Sequence, residues 1–432
     1  MSWFSSSKQS ATASSGEPNF WPVSSLQTGY GELSDKDTAW ACATNRGFQT
    51  ETQIWYSVLA DGSLLLLQVI WSFIGVWPVP AQTQMTFKLY NPTTKKSIWR
   101  SLSATGFTVD AKDGRSCKTN EYEIKHTGSA SGSETYTIHA QLDKTTTLSL
   151  NLVRPADAPG FKLGKGEEGG YSRFGKNMGD DGFVIHRFHP HVQSSGQIMI
   201  DGKVIDAKGE AMFVAAIQGL RPDAVASRWN FAFFTTTQAS EDEKLGSVRA
   251  IQMEFETPDN YGAKGPKSGR VKSNIGCIYS SKIGQPLVVC SQTGPDDAAT
   301  VYGVTRPEPV SSGDICRATH TSTAKDPETG YDGPTGLKFE WVGKQIGQPG
   351  KQVKASLEVA TSMDVGKGGL IEKVNVLNEI PYLVRKALSS ITGTKPYIFQ
   401  FHNEATLNVT TGDEESIPVK GWLFNEATFV SP

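Results

Sequence analysis

Several stretches of the chain place apolar and polar residues in a strand-like pattern with turn residues between them. Residues 52–58 (Thr, Gln, Ile, Trp, Tyr, Ser, Val) alternate, and Asp61-Gly62 follows. An Asp-Gly pair between apolar segments is a strong short-range hairpin signal. The return segment, 64–77, is the most apolar run of the chain, broken only by Gln68 and Ser72. It falls short of the ~18 uninterrupted apolar residues of a membrane helix. Its lack of alternation predicts a strand buried on both faces. Residues 83–90, 135–140 and 147–153 continue the meander, and 197–200 turns at Asp201-Gly202 into 203–205. Residues 274–279 and 287–290 flank a turn at Ile283-Gly284, a register that sets Cys277 opposite Cys290.

Only one helix stands out, at 379–391. Pro381 lies near its first turn, Leu383, Val384, Ala387, Leu388 and Ile391 share one face, and Gly393 stops it. A nearly all-β, mainly antiparallel chain with one late helix and many hairpins predicts barrels or sandwiches. The length, 432 residues, allows two or three domains. Gly-rich 160–182 and the stretches 10–16 and 293–313 read as linkers, and patterning restarts after 219–222.

Charge and cysteine content narrow the class. Forty-two basic and 44 acidic residues leave a formal net charge of −2. That balance disfavours a nucleic-acid binder, which carries a basic excess. The N-terminus lacks the apolar stretch of a secretory signal, so a cytoplasmic location is expected. Trp3 and Phe4 are the residues there that could enter a membrane interface; the following Ser-rich stretch reads as a polar tail. Five scattered cysteines, at 42, 117, 277, 290 and 316, make no disulfide framework or metal knuckle and read as free thiols.

Few motifs carry chemistry. The segment 164–169 satisfies GxGxxG by letter, but no helical pattern follows it, so it reads as a loop and not a phosphate cradle. His186, His189 and His191 form the most suggestive cluster. On a regular strand His189 and His191 share one face, as in a metal-binding pair, and His186 takes the other. Pro190 between them marks an edge or bulge. Structural or pocket-lining histidine outweighs a metal site, and no metal or other cofactor is expected. Trp229, Asn230, Phe231, Ala232, Phe233 and Phe234 form an aromatic stripe, suited either to a core or to an apolar pocket wall.

The chain also resembles a known family. Glu17-Pro18, the segment 50–56 and 253–258 with Tyr261-Gly262 carry part of the likeness. The segment 216–222, running into Trp229-Asn230-Phe231, is the most specific, and 393–398 with 425–429 completes it. These elements run collinearly over nearly the whole chain and resemble the fungal survival factor 1 family, in a form similar to mushroom-forming fungi. One departure is at 186–191, where His189 and His191 stand in place of the family's usual Trp and Arg. The resemblance implies two lipocalin-like (calycin) barrels packed side by side: a tail at 1–44, one domain at 45–219 and a second at 220–432. It implies a lipid carrier for ceramide-like or other large apolar molecules, supporting oxidative-stress survival and sphingolipid homeostasis. It also implies transient contact with Golgi or endoplasmic reticulum membranes through the N-terminus. Tyr56, Trp71, Gln218, Trp229, Asn230 and Phe231 are the expected pocket residues. The rival reading is a metal-free enzyme of secondary metabolism, a cyclase, dehydratase or hydratase acting on an apolar substrate. His186, His189, His191 and Glu254 would then be its acid–base groups.

Overall fold

The computed structural model describes residues 19–45, 47–75, 78–237, 242–261, 270–294, 313–379 and 395–430. Trp3, Phe4 and all but the first residue of the expected helix 379–391 lie outside them. That residue, Glu379, ends a short helix, Val376–Glu379.

Two antiparallel sheets hold all the strands of the described residues, sixteen in the first and ten in the second. Strands of the first fall between Phe20 and Gln218, and those of the second between Arg228 and Phe429. Both curl on themselves into barrel-like sheets. In the first, Leu64–Phe73 lies between Gln82–Asn91 and Gln49–Leu59, and Gln49–Leu59 joins the late strand Gly209–Gln218. Curling brings Leu67 and Phe87 into one cluster with Ile138 and Leu150 from the far end of the sheet.

The apolar run after Asp61-Gly62 is buried on both faces, as its composition predicts. Leu65, Leu67, Val69 and Trp71 point into the first barrel. Leu64 and Leu66 point outward, into a cluster shared with Phe231, Phe233 and Phe424 of the second sheet. The two barrels therefore pack outer face to outer face. The Tyr56 ring stacks on Phe231 with centroids 4.9 Å apart and lies 5.2 Å from Phe424. The Asp61-Gly62 turn docks on the second sheet: the Gly62 carbonyl lies 2.8 Å from Nε2 of His402. Gly62 has φ +82°, and a Cβ there would meet the Trp422 ring at 2.6 Å, so this turn requires glycine.

A charged group is sealed in the same interface. Lys88, fully buried, donates to Glu372 at 2.7 Å and to Gln400, which donates to Glu426 at 2.7 Å. Burial holds the Lys88 ammonium below its usual range and pushes the Glu426 carboxyl up.

The cysteine register differs from the expected one. Cys277 pairs with Val289, and Cys290 with Gly276. The turn spans four residues instead of two, and a bulge next to Ile278 and Tyr279 takes up one more. Side chains on facing residues then switch sides. Cys277 lies between the barrels, whereas Cys290 and Cys316 lie inside the second.

Candidate functional site

The strands of the second barrel build two neighbouring rows of inward-facing residues. Asn425, Ala232, Gln252, Gly276 and Cys290 form one, register by register across five strands. Ala427, Asn230, Glu254, Asn274 and Gln292 form the next. Beyond the first row the lumen is apolar, with Phe234, Ala250, Ile278, Val288, Phe339 and Trp341. The arrangement is a polar band set on an apolar interior.

Glu254 is the centre of the band. It is 3% exposed. Asn230 donates to its Oε1 at 2.8 Å, and Lys272 reaches that oxygen at 3.5 Å. With its amide nitrogen turned toward Glu254, Asn274 donates to Oε2 at 2.7 Å. The Ala318 backbone N–H donates to the same oxygen at 3.4 Å. His320 completes the group, its Nε2 2.9 Å from Oδ1 of Asn230. An amide oxygen only accepts, so this imidazole nitrogen carries the proton. Burial, then the charges of Lys272 and Arg228, hold the His320 pKa down at about 4, so the ring is neutral.

The Ala318 contact, with one made by Gln292, also closes the barrel. The strands Gln285–Gly294 and Ile315–Lys325 end the sheet on either side. Among the described residues no backbone ladder joins them. Glu254 takes the Ala318 N–H, and Gln292 takes the Cys316 N–H at 3.2 Å. A buried edge must pair its N–H groups, and here side chains do it.

One polar group of the lumen is left over. Asn425 is fully buried, and neither atom of its amide has a hydrogen-bond partner. It faces Ala232 in the register, diagonal to Asn230. An unpaired buried amide costs ~1–3 kcal/mol per group, a cost that a bound polar ligand would remove.

The first barrel has a cleft of about 550 Å³ at its rim, lined by Thr38, Trp40, Glu51, Gln53, Arg187 and Ala215 among others. Asp37 binds both Lys162 and Arg187 there, at 2.9 and 2.7 Å. Burial alone would raise its pKa, but the Ser34 N–H, Lys162 and Arg187 outweigh it and hold the value at about 2.

The histidines do not gather in one place. Pro190 and His191 bulge out of the ladder opposite Met212, between the pairs His189–Phe213 and Val192–Ala211. The expected bulge is present, and it reverses the predicted facing, because one extra residue turns every later side chain over. His189 points into the first barrel, edge-on to Phe213 at 5.2 Å and 3.7 Å from Glu134. His191 points out to the second barrel, stacked on Tyr279 at 5.4 Å with Nδ1 3.1 Å from Arg249. His186 shares that outer side through its stack on Phe188. The pairing of His189 and His191 on one face is thus corrected. Burial holds His186 and His189 at about 4, and burial together with Arg249 holds His191 at about 3.

The expected pocket residues also separate. Asn230 alone meets Glu254. Tyr56 and Phe231 face each other between the barrels, Trp71 lies inside the first, and Trp229 packs at the edge of the cluster around Phe255. Half-buried Gln218 donates to the Leu220 carbonyl at 3.2 Å. Sequence reasoning missed Asn274, His320 and Asn425. The alternation 423–427, with Leu423 and Ala427 flanking Asn425 on one face, is the signal that could have found the last.

Comparison with known proteins places the chain. The model of the Svf1 family matches residues 1–431. A protein of Aspergillus fumigatus named ceramide-binding protein svf1 is 29% identical over 467 residues, covering 100% of both chains. The ceramide-binding proteins of Candida albicans and Schizosaccharomyces pombe are 27% and 28% identical, covering 98% and 92% of this chain and 97% and 90% of their own. Two solved structures are more distant. A putative AttH from Nitrosomonas europaea has a TM-score of 0.48 at 13% identity, covering 89% of this chain and 93% of its own. Kievitone hydratase from Nectria haematococca has a TM-score of 0.45 at 12% identity, covering 96% and 99%. With a family match over all but its last residue, the chain belongs to the Svf1 family.

Proposed function

We propose that this chain binds a ceramide-type lipid, with the polar head against the Asn230–Glu254–Asn425 band and the acyl chains in the apolar interior of the second barrel. The unpaired amide of Asn425 carries this reading. A ceramide head offers an amide and hydroxyl groups, which donate and accept as a carboxamide requires. Each acyl CH2 buried contributes ~0.8 kcal/mol, so the chains supply affinity and the band supplies orientation. Relatives named as ceramide-binding proteins, similar along nearly their whole length, support the same ligand.

The test is titration of the delipidated chain with a short-chain fluorescent ceramide. Asn425→Leu is expected to weaken binding at least ~10-fold while leaving the melting temperature unchanged or raised, because it removes an unsatisfied buried group. Wild-type affinity in that variant refutes the site. On the same reading, 45–219 and 220–432 are the two domains, and the N-terminus meets cytoplasmic membrane faces through Trp3 and Phe4. Sedimentation with ceramide-containing vesicles is expected to drop when both are changed to Ala; unchanged sedimentation would remove them from the membrane contact.

A further inference from the structure

The first barrel carries polar groups that the reading of the second barrel does not use. The strand Gln49–Leu59 turns Glu51, Gln53, Trp55 and Ser57 to one side, two residues apart each time. Trp55 lies in the luminal cluster, against Tyr136 and Phe213. Glu51 is satisfied at the rim by the N–H groups of Ala41 and Cys42 and by Gln49. The next three are not. Gln53 Oε1, Trp55 Nε1 and Ser57 Oγ have no partner, although the residues are only 2%, 1% and 1% exposed. From the opposite wall Tyr122, 3% exposed, presents a hydroxyl that is equally unpartnered.

Of these residues Gln53 lines the 550 Å³ cleft, and Trp55, Ser57 and Tyr122 lie outside its lining. Trp40 and Ala215 belong both to the cleft wall and to the luminal cluster. A cleft of this size falls in the range that holds small organic ligands. From Gln53 to Ser57 the strand rises ~13 Å, at ~3.3 Å per residue. The unpaired groups are therefore spread along the depth of the barrel, unlike the compact band of the second. The buried charges at the rim are already committed: Asp37 to Lys162 and Arg187, Glu51 to its three donors.

We propose that the first barrel holds a second, separate ligand site, for an elongated, uncharged apolar molecule with hydroxyl or carbonyl groups spaced along its length. Such a ligand supplies an acceptor for the Trp55 indole, a donor for Gln53 Oε1, and either for the Ser57 and Tyr122 hydroxyls. A two-tailed lipid with all its polar atoms at one end would leave the deeper groups unpaired.

The experiment uses the delipidated full-length chain and 25-hydroxycholesterol, which has a hydroxyl near each end, read by native mass spectrometry and by quenching of tryptophan fluorescence. One molecule per chain is expected to bind, at least ~10-fold tighter than squalene, which has no polar group. Asn425→Leu is expected to leave this binding unchanged. Tyr122→Phe and Gln53→Met are each expected to weaken it several-fold with the melting temperature kept; two conservative variants ensure that one remains readable. Equal binding of squalene, or wild-type affinity in both variants, overturns the proposal. So does competition by ceramide that Asn425→Leu abolishes, because that would place both ligands in the second barrel. Loss of ceramide binding sensitivity to Asn425→Leu, with 25-hydroxycholesterol binding intact, would refute the second-barrel reading alone.

Discussion

Glu254 shows how much one carboxylate can organise. It accepts from Asn230 and Ala318, lies by Lys272, and is nearly sealed from water. Removing it leaves the Asn230 and Asn274 amides and the Ala318 N–H without their acceptor, and leaves Lys272 with Glu256 alone. Glu254→Ala is expected to cost ~3 kcal/mol in denaturant unfolding, and Glu254→Gln distinctly less, because the amide oxygen still accepts. A loss below ~1 kcal/mol for Glu254→Ala would show that the barrel closes without it. A carboxylate so committed to its neighbours is a holding group first. The sequence makes Glu254 look like a candidate acid or base because its strand pattern does not reveal what lies across the lumen.

Elements were legible wherever their pattern was local. The run after Asp61-Gly62 announces a strand with two dry faces, and the structure supplies both: a barrel lumen and a second barrel. Facing was less legible. At His191 a single bulged residue reverses it, and proline marks the place of a bulge without its consequence. At Cys277 a longer turn does the same. The polar band was the least legible part, since Asn274, His320 and Asn425 in alternating strands read as solvent-facing until the sheet curls. Gly276 is diagnostic at this scale. A Cβ there would lie 2.5 Å from Trp341 and 2.7 Å from Cys316 Sγ. Gly276→Ala is expected to cost ~1–3 kcal/mol through overpacking, and Trp341→Phe in the same chain to recover part of it. Thermal unfolding of the two variants checks this; an unshifted melting temperature in Gly276→Ala would show that the row has slack.

For the whole molecule, acid is the informative stress. His189, His191 and His402 are buried, and burial foremost keeps them neutral down to about 4, about 3 and about 4. Unfolded histidines bind a proton near pH ~6.5. Between these limits the unfolded chain holds more protons, so stability is complete above pH ~6.5 and falls as pH drops toward ~4. These three groups alone give a slope near pH 5 of ~4 kcal/mol per pH unit, and His186 and His320, also held at about 4 with burial the main cause, add to it. Glu134 and Asp37 add a later loss. Despite burial, their hydrogen bonds and neighbouring cations hold both at about 2, so their share disappears only as pH falls through that value. Urea unfolding across pH 4–7 measures the slope; a flat profile between 6.5 and 4.5 would mean that these rings are protonated in the folded chain.

The closure of the second barrel has a kinetic consequence. On the side facing the closure, the edge strand Ile315–Lys325 is held to the rest of the sheet by Glu254 and Gln292, and a side-chain clasp opens by rotamer changes where a ladder opens only by unzipping. In amide hydrogen exchange, the N–H groups of Cys316 and Ala318 should therefore trade with solvent faster than those of Phe231 and Phe233, which sit mid-sheet. A lipid whose chains must pass a rim of hydrogen-bonded backbone would find its shortest way in along that slit, and its arrival should slow those two amides first.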